Sequence, residues 1–512
     1  MTAKRTSPPG ALDGSSARNP PRFADSRPSP VLPDGFASRL RGVCGTVHAD
    51  DAARVEAGRD WWPLSALWAS NGRSPCLPDL VAVPTSVAEV SAVTSLCNRE
   101  RVPLTVFAGA SGVCGASLPL HAGVSLDMTG LDGISDVDVT SRTVEVRAGT
   151  FGRDFEDSLR SAYDLTVGHW PQSMALSTVG GWVACRSAGQ FSTRYGKIED
   201  MVTALEVVLA DGTVLHVGGT YPRSATGPDL TQLFVGSEGT LGVITSVRLR
   251  AHKVPPAKSR FAYAFSDFES GLGACMRILQ RGATPAVLRL YDRVESERNF
   301  AVAGACVLLV ADEGDPVVLD AVTKVVDEEC AEASRLGAEP VETWFEHRNE
   351  IPDIASLVAG GLVVDTVEVA GSWRALPAIY TEALSALRGL DGTIAASAHQ
   401  SHSYSDGACL YFTFAGRPGD AGRPGNAGPT GATSISWSPE GAAEGFYKAA
   451  FDAVTGAALR NGGTVSHHHG IGLNRAGYMH EHLGAGLDVL RALKTVLDPN
   501  GILNPGKLGL PQ

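Results

Sequence analysis

From Leu80 onward the chain alternates short apolar runs with glycine-marked turns, the pattern of strands that keep returning to one sheet. Leu80-Val81-Ala82-Val83-Pro84 reads as a short strand. Ser86 to Arg99 has helical apolar spacing, with Ser86 placed as cap and Glu89 three residues on in capping-box position. Leu104 to Phe107 is a second strand that runs straight into a glycine-rich turn, Gly109 to Gly115. Further strands are predicted at Val124–Leu126, Thr143–Val146, Leu205–Leu209 and Val243–Val247, and Asp211-Gly212 marks a hairpin. From Ser259 a second pattern begins. It holds strands at Phe261–Phe265, Ala286–Tyr291, Val307–Ala311 and Cys409–Phe414, with helices to about Gln280 and over Pro316 to Leu336.

These elements predict an α+β chain of two parts: a glycine-rich domain at 77–252, then an antiparallel-sheet cap at 253–450 with helices on one face. A proline-rich leader (1–40) and an aromatic entry segment (41–76, with Asp60-Trp61-Trp62-Pro63) come first. Residues 451–512 are expected to return to the first domain's site. Glycines 416, 419, 422, 425, 428 and 431 recur every third residue, the collagen period. A single chain cannot build a triple helix from them, so 416–432 reads as a flexible insertion.

Composition narrows the partners. A formal charge of -12 and a pI near 5.6 disfavour nucleic acid and anionic membrane surfaces. No apolar run approaches the roughly 18 residues that span a bilayer, and the stretch from Met1 to about Phe36 has no apolar signal core. The nine cysteines show no C-x-x-C pair, and Cys97, Cys185 and Cys409 sit in apolar or small-residue runs as buried thiols. A reducing, cytoplasmic location fits best.

Three glycine clusters carry the candidate chemistry. After Gly109–Gly115 a nicotinamide-type fingerprint would need a helix, but Pro119 and Gly123 stand there. The loop is therefore suited to cradle a pyrophosphate through successive backbone N–H groups. The second cluster, Gly168 to Gly189, sets Ser177, Thr178, Gly180 and Gly181 where backbone could approach a flat ring, and the third is Gly236 to Thr245. By their residues alone, each also fits a tightly packed turn.

Together the clusters resemble the FAD-binding type 4 (PCMH-type, vanillyl-alcohol-oxidase fold) family, and within it the alkylglycerone-phosphate synthases. The matching segments are P-D-x-V-x-x-P at Pro78–Pro84, G-H-x-P-x-S at Gly168–Ser173, S-T-V-G-G-W-V at Ser177–Val183 and Y-G-x-I-E-D at Tyr195–Asp200. They continue as G-P-D-L at Gly227–Leu230, G-S-E-G-T-L-G-V-I-T at Gly236–Thr245 and R-L-x-D at Arg289–Asp292. The last are G-A-C-L-Y-F at Gly407–Phe412, G-G-T-V-S-H-H-H-G-I-G at Gly462–Gly472 and D-P-N-G-I-L-N-P-G-K at Asp498–Lys507. The resemblance implies a two-subdomain FAD-binding domain and a substrate cap.

FAD would be held by Ala108, Gly109, Ala110, Ser111, Gly112, Val113 and Cys114, and by Gln172, Ser173, Met174, Ala175, Leu176, Ser177 and Thr178. Cys185, Arg186, Ser187 and Ala188 would join them, with Glu238, Gly239, Thr240, Leu241, Gly242, Val243 and Ile244. Some relatives attach flavin covalently through a histidine in the first loop. Gly109–Gly115 has none, so non-covalent FAD is expected.

Tyr404 resembles the synthases' general acid/base, His467, His468 and His469 match the triple histidine beside the flavin, and Arg289 matches an arginine near the active site. Histidines suit proton transfer because they titrate near neutrality. Adjacent histidines do not readily converge on one ion and no carboxylate lies near in sequence, so no metal is expected. The synthases hold their substrate phosphate with a cap arginine, whereas no basic residue stands between Arg348 and Arg374 here, and Gln172 replaces an acidic residue. Phosphate-bearing substrates are thereby disfavoured.

Two functions follow: synthase-like flavin N5 chemistry on a small ketone, or FAD-linked oxidation of a 2-hydroxy acid or alcohol. The partner is a small molecule, and a homodimer is compatible with the resemblance. The purified protein is expected to be yellow and to release FAD in acid or chaotrope. Flavin that stays on the denatured chain would refute non-covalent binding.

Overall fold

The computed structural model describes residues 32–70, 76–350, 356–357, 361–417 and 441–510. Its first sheet has four strands in the order Val47–His48, Leu80–Ala82, Val124–Asp127, Leu104–Phe107, the last three parallel. Strands buried on both faces read as continuous apolar runs, which is why Leu80–Ala82 and Leu104–Phe107 were visible in the sequence. The helix between them is Val87–Glu100. Ser86 caps it through the Glu89 N–H, but the Glu89 carboxylate accepts from Gly45 (2.9 Å) and Thr85 (2.6 Å) instead of closing a capping box. The expected leader to residue 40 is shortened, because Phe36–Val43 is a helix with Phe36 and Leu40 fully buried. The rest of the leader before 32 lies outside the described residues.

A second, antiparallel sheet follows in the order Ile134–Asp138, Thr143–Arg147, Val243–Arg250, Val202–Val208, Val214–Gly218. The Asp211-Gly212 turn joins its last two strands. Gly212 has φ of 91°, and a Cβ there would lie 2.8 Å from the Ser91 carbonyl, so the turn needs glycine twice over.

The cap is one seven-stranded antiparallel sheet, ordered Ser334–Leu336, Ala257–Phe265, Cys306–Gly314, Val287–Tyr291, Thr393–Ser403, Gly407–Gly416, Val363–Ser372. Successive side chains point to opposite faces. Leu288, Leu290, Ala396, Ala398, Leu410, Phe412 and Phe414 therefore share one face, which is buried under the helices Phe268–Gln280, Pro316–Glu329, Leu376–Arg388 and Ala442–Arg460. The opposite face turns to the first domain, with the short helices Arg293–Phe300 and Glu339–His347 packed on one end. The helix expected over Pro316 to Leu336 ends at Glu329. Ser334–Leu336 instead pairs with Ala262–Ala264 as the sheet's edge strand. Gly416 ends a strand, and the remaining glycine triplets from 418 lie outside the described residues.

After the cap, the chain returns to the first domain. Leu503 bridges Leu104 at the edge of the parallel sheet. Lys494 Nζ donates to the Thr240 and Leu503 carbonyls, Lys507 Nζ to the Leu118 carbonyl, and Asn504 Nδ2 to the Ala116 and Glu238 carbonyls. Among the described residues, no helix is long and apolar enough to cross a membrane. Asn504 is buried at φ of 39°, a conformation asparagine tolerates and alanine resists. Asn504→Ala should cost on the order of 2 kcal/mol, seen as a lower Tm with loss of flavin. An unchanged melt would show that these carbonyls have other partners.

Candidate active site

The strand Leu104–Phe107 delivers the first glycine loop to the floor of a cavity of about 620 Å³ between the two domains. A Cβ on Gly109 would sit 2.0 Å from the Leu176 carbonyl, so the first and second glycine clusters touch there only because this side chain is missing. Ala110 follows at φ of 47°. Among the described residues, the N–H groups of Ala110, Ser111, Gly112 and Val113 meet no protein acceptor, which leaves a concave run of donors. The loop is held from behind: the Asp60 carboxylate, its pKa pushed up to about 7 by burial, accepts from the Gly115 N–H at 2.9 Å. Glu238, held at φ of 48°, accepts from the N–H groups of Ile471 and Gly472 and so pins the third cluster to the histidine loop.

The cavity's other wall is the open face of the cap sheet. Arg289 and Tyr291, then His399 and Ser401, then Tyr411 and Thr413 alternate with the core residues named above, so each points into the cavity. Register lines them up. Tyr291 pairs with His399 and His399 with Tyr411, and their rings stack at 4.9 and 5.0 Å. Glu295 accepts from His399 Nδ1 at 2.8 Å, and Arg289 Nη2 lies 2.7 Å from His399 Nε2. Since the guanidinium can only donate, Nε2 is the acceptor and Nδ1 carries the proton. Burial also holds His399 below the usual histidine range, so the ring is neutral.

Arg289 and Arg348 flank the indole of Trp344, with guanidinium carbons 5.4 and 5.6 Å from its ring centre. Arg348 donates to Gln190 Oε1 at 2.9 Å, and burial pushes its pKa down to about 10. Among the described residues neither guanidinium forms an ion pair with a carboxylate.

The histidine loop closes the third side. His468 and His469 line the cavity, and His469 Nε2 lies 3.2 Å from the Tyr411 hydroxyl. His467 stands one layer back, 3.0 Å from His468 Nδ1 to Nδ1, and its Nε2 meets the Tyr404 hydroxyl at 2.9 Å. Tyr404 itself is not part of the cavity wall. Its ring stacks on His467, and Lys197 Nζ lies 4.7 Å from its centre. Burial pushes the histidines down, to about 3 for His467 and His468 and about 4 for His469.

Of the residues named from sequence, Arg289, His468, His469, Ala108 to Cys114, Gln172, Ser173, Leu176, Ser177, Thr178, Cys185, Ser187, Ala188, Glu238, Gly239, Gly242 and Ile244 line the cavity. The others lie off it for local reasons. Leu241 and Val243 alternate with Gly242 and Ile244 and turn into the cores, where Met174 also packs. Thr240 bonds the Ser237 carbonyl at 2.7 Å, Ala175 is exposed, and Arg186 turns outward at φ of 56° to meet Glu199. Gly180 and Gly181 do line the cavity, and a Cβ on Gly180 would also lie 2.6 Å from that of Ala148. Tyr291, Glu295, Trp344, Arg348, His399 and Tyr411 were missed. For Tyr291, His399 and Tyr411 the available signal was polar residues at every second position of an apolar strand. Cys97 and Cys409 are buried thiols, while Cys185 is half-buried and lines the cavity.

Residues 78–218 match the family described as FAD binding domain, and residues 254–508 that described as FAD linked oxidases, C-terminal domain. The chain is 32% identical over 452 residues to an uncharacterized FAD-linked oxidoreductase, YgcU, of Escherichia coli strain K12, covering 84% of this chain and 89% of that protein. It is 29% identical over 473 residues to the alkyldihydroxyacetonephosphate synthase of Dictyostelium discoideum, covering 84% of this chain and 73% of that one. A solved alkyldihydroxyacetonephosphate synthase superposes with a TM-score of 0.76 at 25% identity, over 95% of this chain and 88% of the other. The chain belongs to the FAD-linked oxidase family and is an FAD-dependent enzyme. Its cradle fits that cofactor: besides the free N–H run, the hydroxyls of Ser117 and Ser401 are buried at the cavity without a protein partner. Non-covalent binding accords with a first loop that lacks histidine and whose Cys114 thiol is held protonated by burial.

The depressed histidines give a stability prediction. An unfolded histidine titrates near 6.5 and these titrate lower when folded, so below about pH 6.5 the unfolded chain binds more protons. Stability should be full above pH 6.5 and fall as pH drops toward 4. Melting curves over that range should flatten in a triple His→Asn variant at 467–469, and an equally steep fall would assign the loss elsewhere.

Proposed function

We propose that this FAD-dependent enzyme acts on a small anionic ketone or hydroxy compound, bound by Arg289 and Arg348 and given or relieved of a proton by His469, His468 and Tyr411. The observation that carries the reading is how two of the cavity's cations are held, although Glu238, Glu295, Glu350 and Asp365 line it too. Two guanidiniums line it without a carboxylate partner, and the imidazoles across from them are neutral. Buried cations that meet only neutral partners are costly, and a substrate carboxylate or phosphate would offset that cost through charge-assisted bonds. The missing arginine in 351–358 is then no obstacle, because the anion has Arg289 and Arg348.

When bound, FAD supplies a two-electron acceptor beside these residues. The chain's own groups hold the substrate and move its proton. His469 Nε2 stands 3.2 Å from the Tyr411 hydroxyl, so a proton leaving the substrate passes to this pair. His467 and Tyr404 form an outer relay that touches the inner one through His468.

The first reading is synthase-like exchange of one group for another on an anionic ketone without net redox change, supported by the Ser466-His467-His468-His469-Gly470 segment and by the synthase relatives. The second is oxidation of a 2-hydroxy acid or alcohol, which the neutral imidazoles favour because they can take a hydroxyl proton. Anaerobic flavin absorbance during titration with phosphorylated ketones and with 2-hydroxy acids separates them. Lasting bleaching with a keto product in solution means oxidation, and exchange without lasting bleaching means transfer. No response to either class would remove the proposal. Tyr411→Phe should retain flavin and lose turnover by roughly two to four orders of magnitude, with a smaller loss for Tyr404→Phe. The reverse ranking would return the acid/base role to Tyr404.

A further inference from the structure

Glu368 is a carboxylate with no part in the chemistry above, yet it holds the histidine loop. It lies on strand Val363–Ser372 directly opposite Tyr411. Neither Glu368 nor its partner Arg475 is exposed to solvent. Oε1 accepts from Ser466 Oγ at 2.9 Å, from the His469 N–H at 2.9 Å and from Arg475 Nη1 at 2.7 Å, and Oε2 accepts from the His467 N–H. Four donors on one buried acceptor keep it ionised: burial alone would raise its pKa, but the Arg475 guanidinium holds it well below the usual carboxylate range.

The consequence falls on one ring. Two of the three peptide N–H groups in His467–His469 are fixed to the same carboxylate, so the loop cannot turn as a unit. His469 then has Nδ1 3.6 Å from Glu368 Oε1 and Nε2 3.2 Å from the Tyr411 hydroxyl. A carboxylate faces a protonated nitrogen at lower energy than a lone pair, so the proton of the neutral ring belongs on Nδ1. Nε2 is left as acceptor on the cavity side.

We propose that Glu368 is the positioning residue of the histidine loop, fixing His469 with Nδ1 protonated and Nε2 open toward Tyr411, while Arg475 holds the carboxylate in place. The tautomer stands on geometry alone; its catalytic use rests on the function proposed above. The ring nitrogens can be read directly by NMR of the FAD-loaded full chain grown on nitrogen-labelled histidine, with His469→Asn assigning the signal. The wild type should show the Nδ1–H form at neutral pH, Glu368→Asp should keep it, and Glu368→Gln should shift it toward the other tautomer or a mixture. Turnover in Glu368→Gln should fall about tenfold or more, with KM and flavin content little changed.

An Nε2–H ring in the wild type overturns the proposal, as does an unmoved tautomer in Glu368→Gln. Should Glu368→Gln fail to fold, the wild-type and Glu368→Asp spectra still decide it. The expected tautomers with undiminished turnover would support the positioning and overturn the role given to His469.

Discussion

A strand can show a given face only every second residue, and the organisation of this site follows from that constraint. In the cap sheet one set of alternate positions packs under four helices, and the other set is thereby committed to the cavity. Shifting one strand by a residue would bury Arg289 or His399 in an apolar core and lift a leucine or alanine into the site. The hydrophobic core therefore fixes the register of the chemistry. The row Tyr291, His399, Tyr411 and Glu368 exists because four strands hold that register together.

What could be read from the chain followed how local each signal was. The glycine clusters were legible because a glycine loop announces close backbone approach within a few residues, and Gly109 against Leu176 bears this out. Arg289 was legible because an arginine between two leucines is anomalous. Tyr411, His399 and Glu368 were not, since each is an ordinary polar residue in a strand until pairing sets it beside the others. Arg348 was not, because it only bounds the stretch without basic residues and nothing in its neighbours marks it as a cavity residue. Tyr404 drew notice through its motif, but its ring lies behind His467, one layer from the cavity. The edge strand Ser334–Leu336 was absorbed into a helix because three residues carry too little period to be distinguished.

Charge in the interior is handled in two ways. Glu368 with Arg475, and Glu295 with His399, are closed pairs whose partners come from distant parts of the chain, so they tie segments together. Arg289 and Arg348 are left open toward the cavity and meet aromatic faces instead of carboxylates. Closed pairs hold shape, and open ones leave affinity for something that enters.

The returning segment has a consequence for biosynthesis. The cradle's floor is laid down early, by residues near 110, but Gly472, Lys494, Asn504 and Lys507 lock it from the far end of the sequence. During synthesis from the N-terminal side, the glycine loops emerge several hundred residues before their locks. Until those locks are made, the loop carbonyls lack their donors and the cofactor's seat is incomplete. Flavin loading is thus held back until residues 494–507 have emerged, and a polypeptide cut short before them has no finished place for its cofactor.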